Sequence, residues 1–454
     1  MVGNISILIC SFAFICCLLL YLYKIWPDID VLDLYIIFIL FHFGFYPFVR
    51  GLYFGKDVIF DFRDSNPLVI GLVFAQVLLI LMVIKIIYRY FPDTLVERLK
   101  IKNLIQSWSC INKYILLFIY ISLIFFQIVS YYKYGVRTYI PPDDFVKIGK
   151  ELPYWFTAIR TIYPLLVFLV GLGLISSLLK AQQYHKFVWL ILIIVFSPVI
   201  TLYGRRYFLA MIIIWTIVWL VQKNKYKFSM KFIAVGLLSA LAFFLFSNIY
   251  QAYRYDLQKV GQIDLTKLKN PFTAAINFDA TLANFKERPG TWEFNFLVFN
   301  HQYSNPGMFT DGKISWEGIK SSIPKIFWPE KQFIVIDEIL AKLYSTETKE
   351  IDIGKNLFGV GQVDYGYYSL IIVPLVILTI IVIMAVLIQM TMYYPTFLWL
   401  FTGNILFYLV NIEENGNEIF FMLRNVLFIF IIFSGYLLAN KILALRAPKI
   451  RESL

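Results

Sequence analysis

Charge is scarce in this chain. Charged residues make up 15% of its 454 positions, hydrophobic residues 60%, and mean hydropathy is +0.71. That balance excludes an ordinary soluble domain. Cysteine is scarcer still: Cys10, Cys16 and Cys17 lie in the first apolar stretch and Cys110 in a basic loop. None falls in the one long polar segment, so that segment is not a disulfide scaffold. The three histidines, His42, His185 and His301, are scattered, and no Cys/His cluster has zinc spacing. Acidic residues are outnumbered 29 to 41 by Lys and Arg, a formal charge of +12. On a soluble protein that surplus would point to nucleic acid. Here it falls in short loops between apolar stretches, where it reports orientation in a membrane. The N-terminus lacks a basic n-region and a small-residue cleavage site, so the first apolar stretch reads as an uncleaved anchor.

Long apolar runs are what the chain has in abundance. Candidate spans cover 4–23, 31–49, 67–88, 114–132, 155–179, 186–203, 206–222, 230–248, 367–391, 394–412 and 419–440. Each is near the length of a bilayer-crossing helix. The reading is therefore an all-α polytopic membrane protein with about 11 transmembrane helices. Residues 1–248 hold the first eight, 249–366 form a long loop with short amphipathic helices, and 367–454 hold the last three and a basic tail. Lys and Arg concentrate after the third, fifth and seventh spans and in the tail, for example Arg98, Lys100, Lys225 and Lys449. This predicts a cytoplasmic C-terminus and an N-terminus on the other side, with the long loop outside the cytoplasm.

Five arginines, Arg160, Arg205, Arg206, Arg254 and Arg424, sit at span ends on the side of the long loop. An arginine near hydrocarbon costs a few kcal/mol. Five on one face point to a polyanion site, since each guanidinium fork can bind phosphate oxygens in pairs. In Tyr203-Gly-Arg-Arg-Tyr207 two spans meet with almost no loop, and the paired arginines oppose the dipole of the helix they open. Snorkelling to lipid headgroups is the plainer account of that pair. For Arg424 an ion pair with Glu413, Glu414 or Glu418 is an equal alternative.

The long loop is too apolar to be disordered. Residues 333–344 place Phe333, Ile336, Ile339, Leu340 and Leu343 on one helical face. That pattern fits a helix on the membrane surface, or equally one packed on the other helices. Lys325 and Lys331 lie in Ser321-Ser-Ile-Pro-Lys-Ile-Phe-Trp-Pro-Glu-Lys331, and the glycines of Gly354-Lys-Asn-Leu-Phe-Gly-Val-Gly-Gln-Val-Asp-Tyr-Gly366 allow close backbone approach. Candidate proton acceptors are Asp279, set amid apolar residues, then His301 and Glu414. Trp292, Tyr303, Trp316 and Trp328 could stack on sugar faces or simply pack the loop onto the membrane interface.

The Gly-x-Arg reversal, the Ile-Pro-Lys-Ile-Phe-Trp-Pro-Glu-Lys run, the glycine-rich re-entry into a span and the arginine in the last span together resemble the Wzy-type O-antigen polymerases. These oligosaccharide repeat unit polymerases include the enterobacterial common antigen polymerases. The chain departs from the family where Gln332 follows Lys331, a place where proline is common. The resemblance implies a GT-C-like fold in the bacterial inner membrane and a metal-independent glycosyltransferase without cofactor. It implies transfer of a nascent undecaprenyl-pyrophosphate-linked glycan onto an undecaprenyl-pyrophosphate-linked repeat unit at the periplasmic face. The five arginines with Lys325 and Lys331 would hold the pyrophosphate, and a chain-length regulator would be a partner. An O-antigen ligase, or a polysaccharide transporter or flippase, is the alternative.

Overall fold

The computed structural model describes the backbone of residues 2–26, 28–52, 66–134, 154–180, 291–305, 307–324, 356–411 and 415–451, with a few single positions between them. The described residues are helical almost throughout. Five of their helical stretches are long and apolar enough to cross a membrane: Ile5–Ile25, Val31–Phe48, Pro67–Tyr88, Leu357–Thr391 and Glu418–Ile442. The fourth is broken at Gly366, and its part after the break is the candidate span. The spans expected at 186–203, 206–222 and 230–248 lie outside the described residues.

The N-terminal unit is a three-helix layer, α1 (Val2–Ile25), α2 (Val31–Leu52) and α3 (Pro67–Tyr88). Its start signals are local. The Asn66 side chain accepts from the Leu68 N–H at 2.9 Å, and Pro67 supplies a preset φ at the first helical position. Phe14 of α1 meets Phe43 of α2 and Phe74 of α3, with ring centroids 6.4 and 5.1 Å away. At one end of the layer Asp30 and Asp33 cap each other's backbone N–H at 2.8 and 3.1 Å. Lys85 and the Tyr21 hydroxyl donate to Asp33, and the Tyr88 hydroxyl donates to Asp30. Burial, then the nearby Asp33 carboxylate, pushes the Asp30 carboxyl above the ordinary carboxylate range.

The basic segment after α3, which reads as a loop, holds two short helices, α4 (Asp93–Leu99) and α5 (Ile101–Trp108). Ile101, Leu104 and Trp108 share one face of α5 and are all buried. The Trp108 indole donates to Thr402 at 2.8 Å, so α5 is wedged into the bundle. Next come α6 (Lys113–Tyr134), set at 88° to α5, and α7 (Tyr154–Lys180). Helix α7 packs on α12 (Pro395–Val410) through Phe168 and Phe407 and a Trp399 indole bond to the Leu169 carbonyl. Helix α12 runs antiparallel to α13 (Asn415–Arg451), with Phe397 against Phe433 at one end and Asn404 against Met422 nearer the other.

The long polar loop contributes α8 (Thr291–Ser304), α9 (Lys313–Ser322) and α10 (Leu357–Tyr365), which leads through a 3-10 turn at Gly366–Tyr368 into α11 (Ser369–Thr391). These helices are not a separate cap. Helix α8 lies on α3, with Trp292 buried beside Phe74 and Phe296. Helix α10 turns back along α11. Leu357, Ile377 and Ile380 line one pocket, whereas a straight helix would hold Leu357 and Ile377 about 30 Å apart. The reversal is made at Gly366, whose φ of 54° lies where only glycine is unstrained. The close approach of the two arms needs Gly361, where a Cβ would sit 2.5 Å from Val373 Cγ2.

Candidate anion site

The arrangement is built around Arg424, nine residues into α13. Its Nε and Nη2 both donate to Asn425 Oδ1, at 3.2 and 2.9 Å, and Nη1 donates to the Ser322 carbonyl at 3.3 Å. Ser322 ends α9, so the cation sits at the negative end of that helix dipole. Asn425 is held in turn by Nδ2 bonds of 3.3 Å to Asn404 Oδ1 and to the Tyr408 hydroxyl. The Phe421 ring lies 5.0 Å from the guanidinium carbon. Arg424 is half-buried, and among the described residues no carboxylate reaches it. Glu418, one of the ion-pair alternatives, accepts instead from Asn411 at 2.7 Å. A guanidinium has five N–H bonds. Among the described residues three are engaged, leaving one on each terminal nitrogen for a ligand oxygen.

Two features hold α9 at this arginine. Gly312, at the start of α9, has no side chain to cap the helix. The buried Asp364 of α10 does the capping instead, accepting from the Ile314 and Ser315 N–H groups at 2.9 and 2.7 Å and from the Thr310 and Ser315 hydroxyls. Helix α10 is fastened by a buried amide chain. Gln76 of α3 and Ser369 of α11 both donate to Gln362 Oε1 at 2.7 Å, and Gln362 Nε2 donates to Gln302 of α8 at 2.6 Å. The Gln302 amide returns a bond to the Gln362 carbonyl at 2.9 Å. Three helices, α3, α8 and α11, thus converge on Gln362 of α10.

The other expected residues fall as follows. Arg160 is in the second turn of α7. Phe168, two turns further on, packs on Phe407, and Asn425 bonds Tyr408. Arg160 therefore lies at the end of α7 toward which the C-terminus of α12 points. Arg205, Arg206, Arg254, Lys325, Lys331, Asp279 and Glu414 lie outside the described residues. His301 is in the last turn of α8, its Nε2 3.2 Å from Met308 Sδ. The Trp292 ring is buried, with no open face for a sugar, whereas Tyr303, Trp316 and Trp328 are exposed. Ile339 is buried with Phe294, Ile314 and Val360, so this position of 333–344 packs on the loop helices. Sequence reading did not single out Asn425, Asn404, Gln76 or Gln362. The signal was present, because polar residues in strongly apolar helices are costly and tend to mark function or interhelical bonding.

No metal-binding group of three or more His, Cys, Asp or Glu occurs among the described residues. No family model, no curated protein and no solved structure matches this chain.

Proposed function

We propose that the chain is a membrane glycosyltransferase that polymerises lipid-linked oligosaccharide repeat units. The donor is a glycan on undecaprenyl pyrophosphate, and the acceptor is a hydroxyl of a second lipid-linked repeat unit. The bond between the donor anomeric carbon and the pyrophosphate oxygen breaks. A glycosidic bond forms to the acceptor oxygen, its proton passes to a base, and undecaprenyl pyrophosphate leaves. Charge grows on the pyrophosphate as that bond breaks, and fixed cations aimed at it lower the barrier.

The observation that supports this reading is the state of Arg424. It is a half-buried arginine in an apolar helix, held among the described residues by neutral oxygens, with two N–H bonds left for an anion. A structural arginine of that kind would be expected to have a carboxylate. Arg160, Arg205, Arg206 and Arg254 are the proposed partners of Arg424, with Lys325 and Lys331 supplying mobile positive charge. Asp279, His301 and Glu414 remain the proposed proton acceptors. The exposed Trp316, Trp328 and Tyr303 are the proposed sugar platforms. The proposed setting is the bacterial inner membrane, with the long loop in the periplasm.

The test is a glycan ladder from cells carrying the chromosomal Arg424→Ala variant, with membrane insertion checked by immunoblot. Loss of long chains with a core capped by a single repeat unit supports a polymerase. A bare core would instead indicate a ligase, and an earlier block a flippase. Normal ladders would remove the mechanism.

A further inference from the structure

Asn425 does more than touch Arg424. It belongs to a short relay of hydrogen bonds that starts at a backbone carbonyl. Asn404 of α12, fully buried, donates from Nδ2 to the Met422 carbonyl of α13 at 3.3 Å. Asn404 Oδ1 accepts from Asn425 Nδ2 at 3.3 Å, and Asn425 Oδ1 accepts from Arg424 Nε and Nη2 at 3.2 and 2.9 Å. A carbonyl only accepts and a guanidinium only donates. The two amides between them therefore have one consistent orientation, since turning either of them sets like groups against each other. The Tyr408 hydroxyl accepts from the same Asn425 Nδ2 at 3.3 Å.

We infer that Asn404 and Asn425 are positioning residues: they aim the Arg424 fork through neutral bonds and leave its positive charge for an anion. The inference rests on the polymerase reading for the role of Arg424. It turns on which residue stands at position 425. Aspartate has the shape of asparagine and would pair bidentately with the same Nε and Nη2. It would hold the fork equally well and cancel its charge. A half-buried arginine with a purely structural task is served better by that pair, because a desolvated cation without a counter-charge is costly. The amide keeps the geometry and leaves the charge. Asn404 makes no bond to the guanidinium among the described residues, so it acts through Asn425, from another helix.

The experiment uses the full chain in nanodiscs, with inorganic pyrophosphate as the probe in titration calorimetry and thermal unfolding measured alongside. The parent chain should bind pyrophosphate, and Arg424→Ala should lose about tenfold or more in affinity, the cost of a charge-assisted hydrogen bond. Asn425→Asp should show a similar loss while keeping the parent's unfolding midpoint, a split that a structural role does not give. Asn404→Ala should weaken binding by roughly threefold, the lower range for one neutral hydrogen bond. Thr402→Val, which removes the acceptor of the Trp108 bond from the same helix, should lower the midpoint and leave binding unchanged. Those last two variants decide the matter if Asn425→Asp does not fold, and equal binding by both would then overturn the inference. Parental affinity in a folded Asn425→Asp, or no Arg424-dependent binding by the parent chain, would overturn it outright. Binding lost in Asn425→Asp alongside normal ladders from Arg424→Ala cells would keep the positioning role and remove the polymerase reading. Lost ladders from Arg424→Ala cells, with normal ladders and binding in Asn425→Asp, would keep the polymerase reading and remove the positioning role.

Discussion

At the scale of single residues, Arg424 is where charge and geometry meet. Lysine keeps the charge but cannot hold Asn425 Oδ1 with two parallel N–H bonds while reaching the Ser322 carbonyl. Arg424→Lys should therefore retain short ladders, whereas Arg424→Ala should lower polymerisation by about a hundredfold or more, the usual cost of losing a preorganised donor to developing charge. Quantifying chain length on gels for the two variants checks the order. Arg424 was legible in the sequence because an arginine inside an apolar run is costly. Of its ion-pair alternatives, Glu413 and Glu414 lie outside the described residues, and Glu418, six positions away in sequence, is seen only in the structure to accept from Asn411. Asp30 offers a second residue-scale prediction. Its carboxyl is raised by burial and by Asp33, so the folded chain holds a proton there that the unfolded chain has already released. That contribution is present at low pH and is lost as pH climbs from the ordinary carboxylate range toward neutrality. Asp30→Asn should flatten this part of the stability profile, measured by thermal unfolding in detergent between those limits.

At the scale of elements, the folded-back α10–α11 arm decides where α8 and α9 sit. The helix boundaries at α2, α3, α7 and α11 were legible from length and apolarity alone, and the glycines of the 354–366 segment announced a close backbone approach. What they approach was not legible. Gly359 faces Asn295, and a Cβ there would lie 2.3 Å from Asn295 Oδ1, a contact between helices more than sixty positions apart. Gly359→Ala should destabilise the chain by about 1–3 kcal/mol through overpacking. The readout is a lowered unfolding midpoint in detergent, with ladder length falling in the same variant because α9 loses its anchorage to Asp364. The helices α4 and α5 were missed for a different reason. The segment carries Arg89, Arg98, Lys100, Lys102 and Lys113, and reading it by charge hid the spacing of Ile101, Leu104 and Trp108 that buries α5.

For the whole molecule, the described helices are staggered rather than flush. Tyr35, in the second turn of α2, and Tyr408, in the last turn of α12, share a pocket with Ile377 and Ile380, near the middle of α11. Helix α12 has 16 residues, about 24 Å, shorter than a ~30 Å hydrocarbon core. Helix α13 has 37 and runs about 55 Å. Hydropathy marks each apolar run separately and contains nothing about such offsets, which arise from side-chain packing between helices. The charge pattern adds the proposed orientation, loop helices outward and basic tail inward, which places Arg424 on the side where lipid-linked glycans would be joined. One measurement bears most directly on this account. The purified full chain, reconstituted in nanodiscs with undecaprenyl-pyrophosphate-linked repeat units and a metal chelator, should convert them into a ladder of longer glycans while releasing undecaprenyl pyrophosphate, and the Arg424→Ala protein should not. Unchanged repeat units from a folded wild-type chain, or equal ladders from both proteins, would contradict it.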